Sequence, residues 1–251
     1  HYDSAYRILK GELPIRDYWI VSGFMIEFLQ SIFFKIFGVN WTAYILHSSI
    51  INVIVSILCY FFFLTLKIPL INSLIYALSF STLAYSVSGT PFVDHHAVFL
   101  LLISSFLMLK FFDQENNKIN LFLILLLSFS SFLIKQVPAG YAFLFQGGLI
   151  LFYIFKYKKL KLFKRICLYF IIILILFFLF LTILKIDFEL FVREYILYPS
   201  HIGSERFLFF NKSFKIFFNQ YKFLFLPILL TIYTKLKLNL DAIKQPFNEV
   251  F

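Results

Sequence analysis

The chain has 251 residues, 61% of them hydrophobic, 22% aromatic and only 14% charged, with a mean hydropathy of +0.87. Soluble domains are closer to half apolar and a quarter charged, so composition excludes a water-soluble globule, a disordered chain and a disulfide-stapled secreted module, and leaves an integral membrane protein. The formal charge of +10 would raise nucleic acid as a partner in a soluble protein, but no base-reading motif accompanies it. No nucleic-acid partner is expected, and basic cytoplasmic loops and anionic lipid headgroups account for the excess.

The chain opens at His1, not Met, in polar sequence without a signal peptide, and it reads as an internal stretch of a longer protein. Residues 1–19, HYDSAYRILKGELPIRDYW, carry Asp3, Arg7, Lys10, Glu12, Arg16 and Asp17. Asp3 and Asp17 are candidate bases or metal ligands. Asp17 can equally pair with Arg16 or cap the next turn. Residues 22–37 are too short, and too interrupted by Glu27, Gln30 and Lys35, to span. They read as a helix lying at the membrane surface, polar on one side and closed by Gly38.

Crossing the hydrocarbon core takes roughly 20 apolar residues. Seven stretches approach this: 41–66, 69–88, 96–112, 119–134, 137–155, 166–184 and 221–234. They are continuously apolar and do not alternate, which excludes a barrel. The expected fold is all-α, a polytopic bundle of about seven spans with surface helices on the outer face. It is read as one membrane domain: a first outer loop (1–40), six spans (41–185), an outer loop (186–220), a seventh span (221–235) and a tail (236–251).

Residues 156–165 hold six positive and no negative charges, which assigns them to the cytoplasm. Residues 1–40, 89–95, 135–136 and 185–220 then fall outside. Arg193, Arg206, Lys212 and Lys215 lie in that outer set, against the usual bias, and hint at an anionic ligand handled there. Residues 188–198 and 207–218 suit two further surface helices, separated by Pro199 and a turn at 201–204.

Ionisable groups near lipid are costly and read first as functional. Asp94 either caps the next helix or helps hold Mg²⁺ or Mn²⁺ with a second carboxylate. Adjacent His95 and His96 point in different directions on a helix and cannot share one metal face. Lys135, beside Gln136, either snorkels to the interface or meets a phosphate. Arg206 either grips a phosphate or pairs with Glu194 or Glu205. Cys59 and Cys167 are expected as buried free thiols, and Gly147-Gly148 as a site of close helix packing. There is no Walker loop, nucleophile elbow or paired-Cys motif.

The stretch Ala5-Tyr-Arg-Ile-Leu-Lys-Gly-Glu-Leu-Pro-Ile-Arg-Asp-Tyr-Trp19 resembles the first outer loop of the GT-C multi-spanning glycosyltransferases, such as protein mannosyltransferases and lipid A aminoarabinose transferases. Phe37-Gly38, Asn40-Trp-Thr-Ala43, Asp94, Phe132-Leu-Ile-Lys-Gln136 and residues 198–206 follow in the order of that pattern. The resemblance implies sugar transfer from a polyprenyl-phosphate donor to a glycan, lipid or protein acceptor on the outer face of a bacterial inner membrane. It also implies an Asp base in the first outer loop, which is Asp3 here or an acid upstream of His1. Asp94 would orient the acceptor or hold a divalent ion, Lys135 and Arg206 would hold the lipid phosphate, and Asp17, His95 and Gln136 would line the substrate. The chain would then lack the family's first span and its C-terminal part. A transporter or flippase for a lipid-linked or anionic solute is the alternative, and a non-catalytic membrane subunit a third reading.

Overall fold

The structure is a computed structural model and describes residues 1–84, 89–113 and 118–207, with positions 218, 219 and 229; side chains of 203–207 lie outside the description. The described residues are helical, apart from their connections and an isolated bridge between Pro14 and Tyr18. In chain order they form α1 (Tyr2–Leu9), α2 (Met25–Phe37), α3 (Trp41–Thr65), α4 (Leu70–Ala84), α5 (Val93–Asp113), α6 (Lys118–Ile134), α7 (Gln136–Lys156), α8 (Leu160–Ile183) and α9 (Phe188–Phe191). A π-helical turn (Val192–Leu197) and α10 (Tyr198–Phe207) follow. The chain divides into two compact units, His1–Ile196 and Leu197–Phe251.

Four helices, α3, α5, α7 and α8, are long and apolar enough to cross a membrane, and on this ground the chain is an integral membrane protein. Within the described residues two of the seven expected spans are represented by 15 residues of α4 and 17 of α6; residues 85–88 and 114–117, which adjoin them, lie outside the description. The stretch 221–234 lies outside the described residues, position 229 apart.

The side chains sort as lipid solvation requires. α8 exposes Leu168, Ile171, Ile175, Leu179 and Ile183 and buries Ile173, Phe177 and Leu181. Polar groups turn inward and find one another. Ser104 on α5 bonds Ser128 on α6 at 2.8 Å, Ser128 donates to Gln146 Oε1 on α7 at 2.7 Å, and Ser104 lies 3.2 Å from the same oxygen. Gln146 Nε2 donates to Ser105 at 2.9 Å, and Ser131 donates to the Ala97 carbonyl at 2.7 Å.

The polar side of α2 faces inward: Glu27 and Gln30 are 1% and 0% exposed while Ile32 and Ile36 are 53% and 66% exposed. An outward face of this kind suits lipid, and the polar stripe packs against the bundle. Four expectations change. Residues 201–204 continue α10 instead of forming a turn. α8 starts at Leu160, so Lys161, Lys164 and Arg165 are helical, not part of a loop. Cys167 is exposed while Cys59 is buried. A Cβ at Gly147 or Gly148 would meet nothing within 4 Å, so neither glycine marks close packing. Gly38 does close α2, at φ 82°, and Asn40 caps α3 by accepting from the Ala43 amide at 2.8 Å.

The connection into α2 is tied to the end of α6. The Gly23 amide donates to the Ile134 carbonyl at 2.8 Å, and a Cβ on Gly23 would lie 1.7 Å from the Leu133 carbonyl oxygen. Backbone cannot yield to such a clash. Gly23→Ala is therefore expected to lower stability by roughly 3 kcal/mol, as overpacking does. Gly148→Ala, with open space around it, should be near neutral. Thermal unfolding of both variants in detergent checks the contrast.

Candidate functional site

The site begins where α6 stops. Pro138 disfavours helical backbone at the residue before it, and Val137 is extended at φ −121°, ψ 128°. Lys135 is extended too, at φ −154°, ψ 130°. The helix therefore breaks after Ile134 and restarts as α7, leaving the last α6 carbonyls to find other donors. Ile134 receives the Gly23 amide, and Phe132 receives the hydroxyl of Tyr195. Tyr195 is fully buried among Phe24, Phe132 and Phe191. Burial pushes its phenol well above the ordinary range, which keeps the proton on this donor.

The break swings Lys135 away from the helix and onto Asp94. Its Nζ lies 2.6 and 2.7 Å from the two carboxylate oxygens. Their side chains are 31% and 38% exposed, so the pair stands at a mouth. Gln136 donates from Nε2 to the Tyr195 carbonyl at 2.8 Å. It also lines a cavity of about 390 Å³ whose other walls are apolar, formed by Phe129, Phe132, Val137, Gly140, Tyr141, Phe143, Leu144 and Phe170.

The structure thus brings Asp94, Lys135 and Gln136 to one place. Asp94 lies in the first turn of α5, which begins at Val93. An acid there favours the positive helix end. Lys135 bonds a carboxylate instead of snorkelling alone. His95 and His96 do diverge: His95 rests against Phe92 and Phe99, and His96 turns inward to α3.

Asp17 takes its structural alternative. It accepts from Arg16 at 2.6 and 3.0 Å and from the Leu13 amide at 2.7 Å. These bonds hold its carboxyl below the usual range, the Arg16 bond most of all. Arg16 also reaches the Gly11 and Leu184 carbonyls. Asp3 is exposed in the first turn of α1. Glu194 pairs with Arg193 at 3.1 Å. Arg206 lies on α10 in the second unit, its side chain outside the described residues. For Mg²⁺ or Mn²⁺ the donors do not fit: both Asp94 oxygens face Lys135, and no group of three His, Cys, Asp or Glu gathers among the described residues.

A second polar cluster escaped the sequence reading. Glu27 accepts from His1 at 2.7 Å, Gln30 Oε1 meets His47 Nδ1 at 2.8 Å, and His47 Nε2 meets His96 Nε2 at 3.1 Å. The i, i+3 spacing of Glu27 and Gln30, and a lone His two turns into an apolar span, were the signals.

Compared with protein-family models, curated proteins and solved structures, the chain matches none.

Burial pushes the Glu27 carboxyl up to about 7 from an ordinary 4.5. A raised carboxyl favours the folded state fully below pH 4.5 and loses that advantage as pH rises through about 7. The loss is on the order of 3 kcal/mol. Glu27→Gln should flatten stability between pH 5 and 8, as read by thermal unfolding across buffers. An unchanged slope in the variant would assign it to another group.

Proposed function

We propose that this chain is part of a membrane glycosyltransferase that moves a sugar from a polyprenyl-phosphate donor to a glycan, lipid or protein acceptor on the outer face of a bacterial inner membrane. One observation carries the reading: a carboxylate and an ammonium, Asp94 and Lys135, stand together at the mouth beside an apolar cavity edged by Gln136. A lipid phosphate needs a cation for its head and apolar walls for its chain. In the resting arrangement Lys135 is held on Asp94. An arriving phosphate competes for the ammonium, and the carboxylate is then released to accept a hydrogen bond from the acceptor hydroxyl.

The roles divide accordingly. Lys135 stabilises charge developing on the departing phosphate. Asp94 orients the acceptor, and the base that removes its proton is Asp3. Asp17, already bound to Arg16 and to backbone, shapes the loop and takes no proton. No step is routed through a metal.

The half-exposed pair contributes no more than about 1 kcal/mol to stability, so variants at either position should fold. Asp94→Asn and Lys135→Met are each expected to lower transfer from a polyprenyl-phosphate sugar, assayed in detergent, by roughly 10²-fold or more. Full activity in both would remove this site from the reaction. A transporter would instead require a sealed vesicle and make no new glycosidic bond.

A further inference from the structure

The buried chain from α2 to α5 has two self-consistent proton counts, set by which end of the Gln30 carboxamide faces His47. At one end His96 Nδ1 lies 3.1 Å from the Phe92 carbonyl, which can only accept. His96 Nδ1 therefore carries hydrogen, and in the neutral ring His96 Nε2 is bare. At the other end Gln30 presents Oε1 to His47 Nδ1 at 2.8 Å. That oxygen also only accepts, so His47 Nδ1 carries hydrogen and a neutral His47 would likewise have a bare Nε2. The two Nε2 atoms are 3.1 Å apart. Two lone pairs do not face each other at that distance, so with Gln30 in this orientation one proton lies between them.

A neutral pair requires the opposite end of Gln30. A half-turn of the carboxamide, which barely alters its shape, directs Nε2–H to His47 Nδ1. Hydrogen bonds then run in one direction: Gln30 Nε2–H to His47 Nδ1, His47 Nε2–H to His96 Nε2, and His96 Nδ1–H to the Phe92 carbonyl. The neutral chain holds two ring protons and the charged chain three. The proton enters from water or from a neighbouring acid.

We propose that His47 and His96 form a buried site that binds one proton between them, with the Gln30 carboxamide as the element that turns over when the proton is taken up or released. Burial works against a charge on the pair, and the Phe33 ring offsets it in part. His47 and Gln30 are fully buried and His96 is 4% exposed. Phe33 stacks on the His47 ring at 4.8 Å and 19°, offering its π-face to a cation. Glu27 lies one turn before Gln30 on the same buried stripe of α2. Its Oε2 and Gln30 Nε2 both lack a hydrogen-bond partner among the described residues. It is the nearest carboxyl along the stripe.

The other ionisable groups on the packed elements are His1, bonded to Glu27; Tyr2 of α1, packed edge-on against Tyr44; Tyr44 of α3, one turn before His47; and, on α5, His95 beside His96 and Asp94 bonded to Lys135. The inference does not depend on sugar transfer. The same pair would serve a transporter as a coupling site or an enzyme as a pH sensor at the α2 end.

The test is ¹⁵N NMR of the histidine-labelled full chain in lipid nanodiscs, and the unsubstituted protein suffices. Expected are a ¹⁵N–¹⁵N coupling across the bond between two imidazole rings and, on acidification, a single transition in which the two rings together gain one proton. Absence of the coupling, or two independent transitions of one proton each, overturns the proposal. Gln30→Met removes the turning carboxamide and should move that transition by about one pH unit, a tenfold change in proton affinity. A transition left in place in the folded variant would overturn the role given to Gln30. Should this variant not fold, the coupling and proton count of the native chain decide alone.

Discussion

The last carbonyls of α6 are the constraint on which the rest of this structure depends. Leu133 and Ile134 are buried, so water does not satisfy these groups, and the Lys135–Pro138 segment stops α7 from continuing the helix that would have done so. Two distant parts of the chain supply the missing donors: the Gly23 amide from the connection into α2, and the Tyr195 hydroxyl from the π-helical turn after α9. One backbone requirement thus draws the α1–α2 connection, the α6–α7 break and the segment after α8 into a single junction. Phe24, Phe177, Leu181, Phe191 and Tyr195 fill its apolar interior.

The candidate site is a by-product of that junction. Because the helix breaks at Lys135, the ammonium can lean across to the first turn of α5 and meet Asp94. Because Tyr195 is fixed by its hydroxyl, its carbonyl is fixed too, and Gln136 is held on it at the edge of the apolar cavity. Charge and apolar space become neighbours without any loop having to order itself around a ligand. The same economy of polar groups governs the serines and Gln146 between α5, α6 and α7, and the chain from Gln30 through His47 to His96. In each case polar side chains turn toward one another because lipid offers them nothing.

What the sequence disclosed follows from how local each signal is. Helix positions came through because a run of apolar residues is a local property: α3, α5 and α7 begin and end within a few residues of expectation, and Gly38 and Asn40 mark their boundary as read. Asp94, Lys135 and Gln136 were visible as polar residues at the ends of apolar runs. Their meeting was not, since it depends on a break 41 positions from Asp94 along the chain. Which way the polar side of α2 faces was not legible, because a polar stripe on a short helix means water in one setting and a bundle interior in another, and only neighbours decide. For Asp17 the pairing with Arg16 was one of the two readings offered, and the turn that also brings the Leu13 amide to it decides between them. His47 gave no motif at all; it matters only because α5 brings His96 to it.

Amide hydrogen exchange over residues 20–26 and 131–138, in the native chain and in Tyr195→Phe, tests the junction most directly. The account predicts a Gly23 amide protected as strongly as those within the spans. It also predicts faster exchange in both segments once the Tyr195 hydroxyl is removed, because they share one set of carbonyls. Rapid exchange at Gly23 in the native chain, or a Tyr195→Phe variant whose two segments exchange as before, would contradict it.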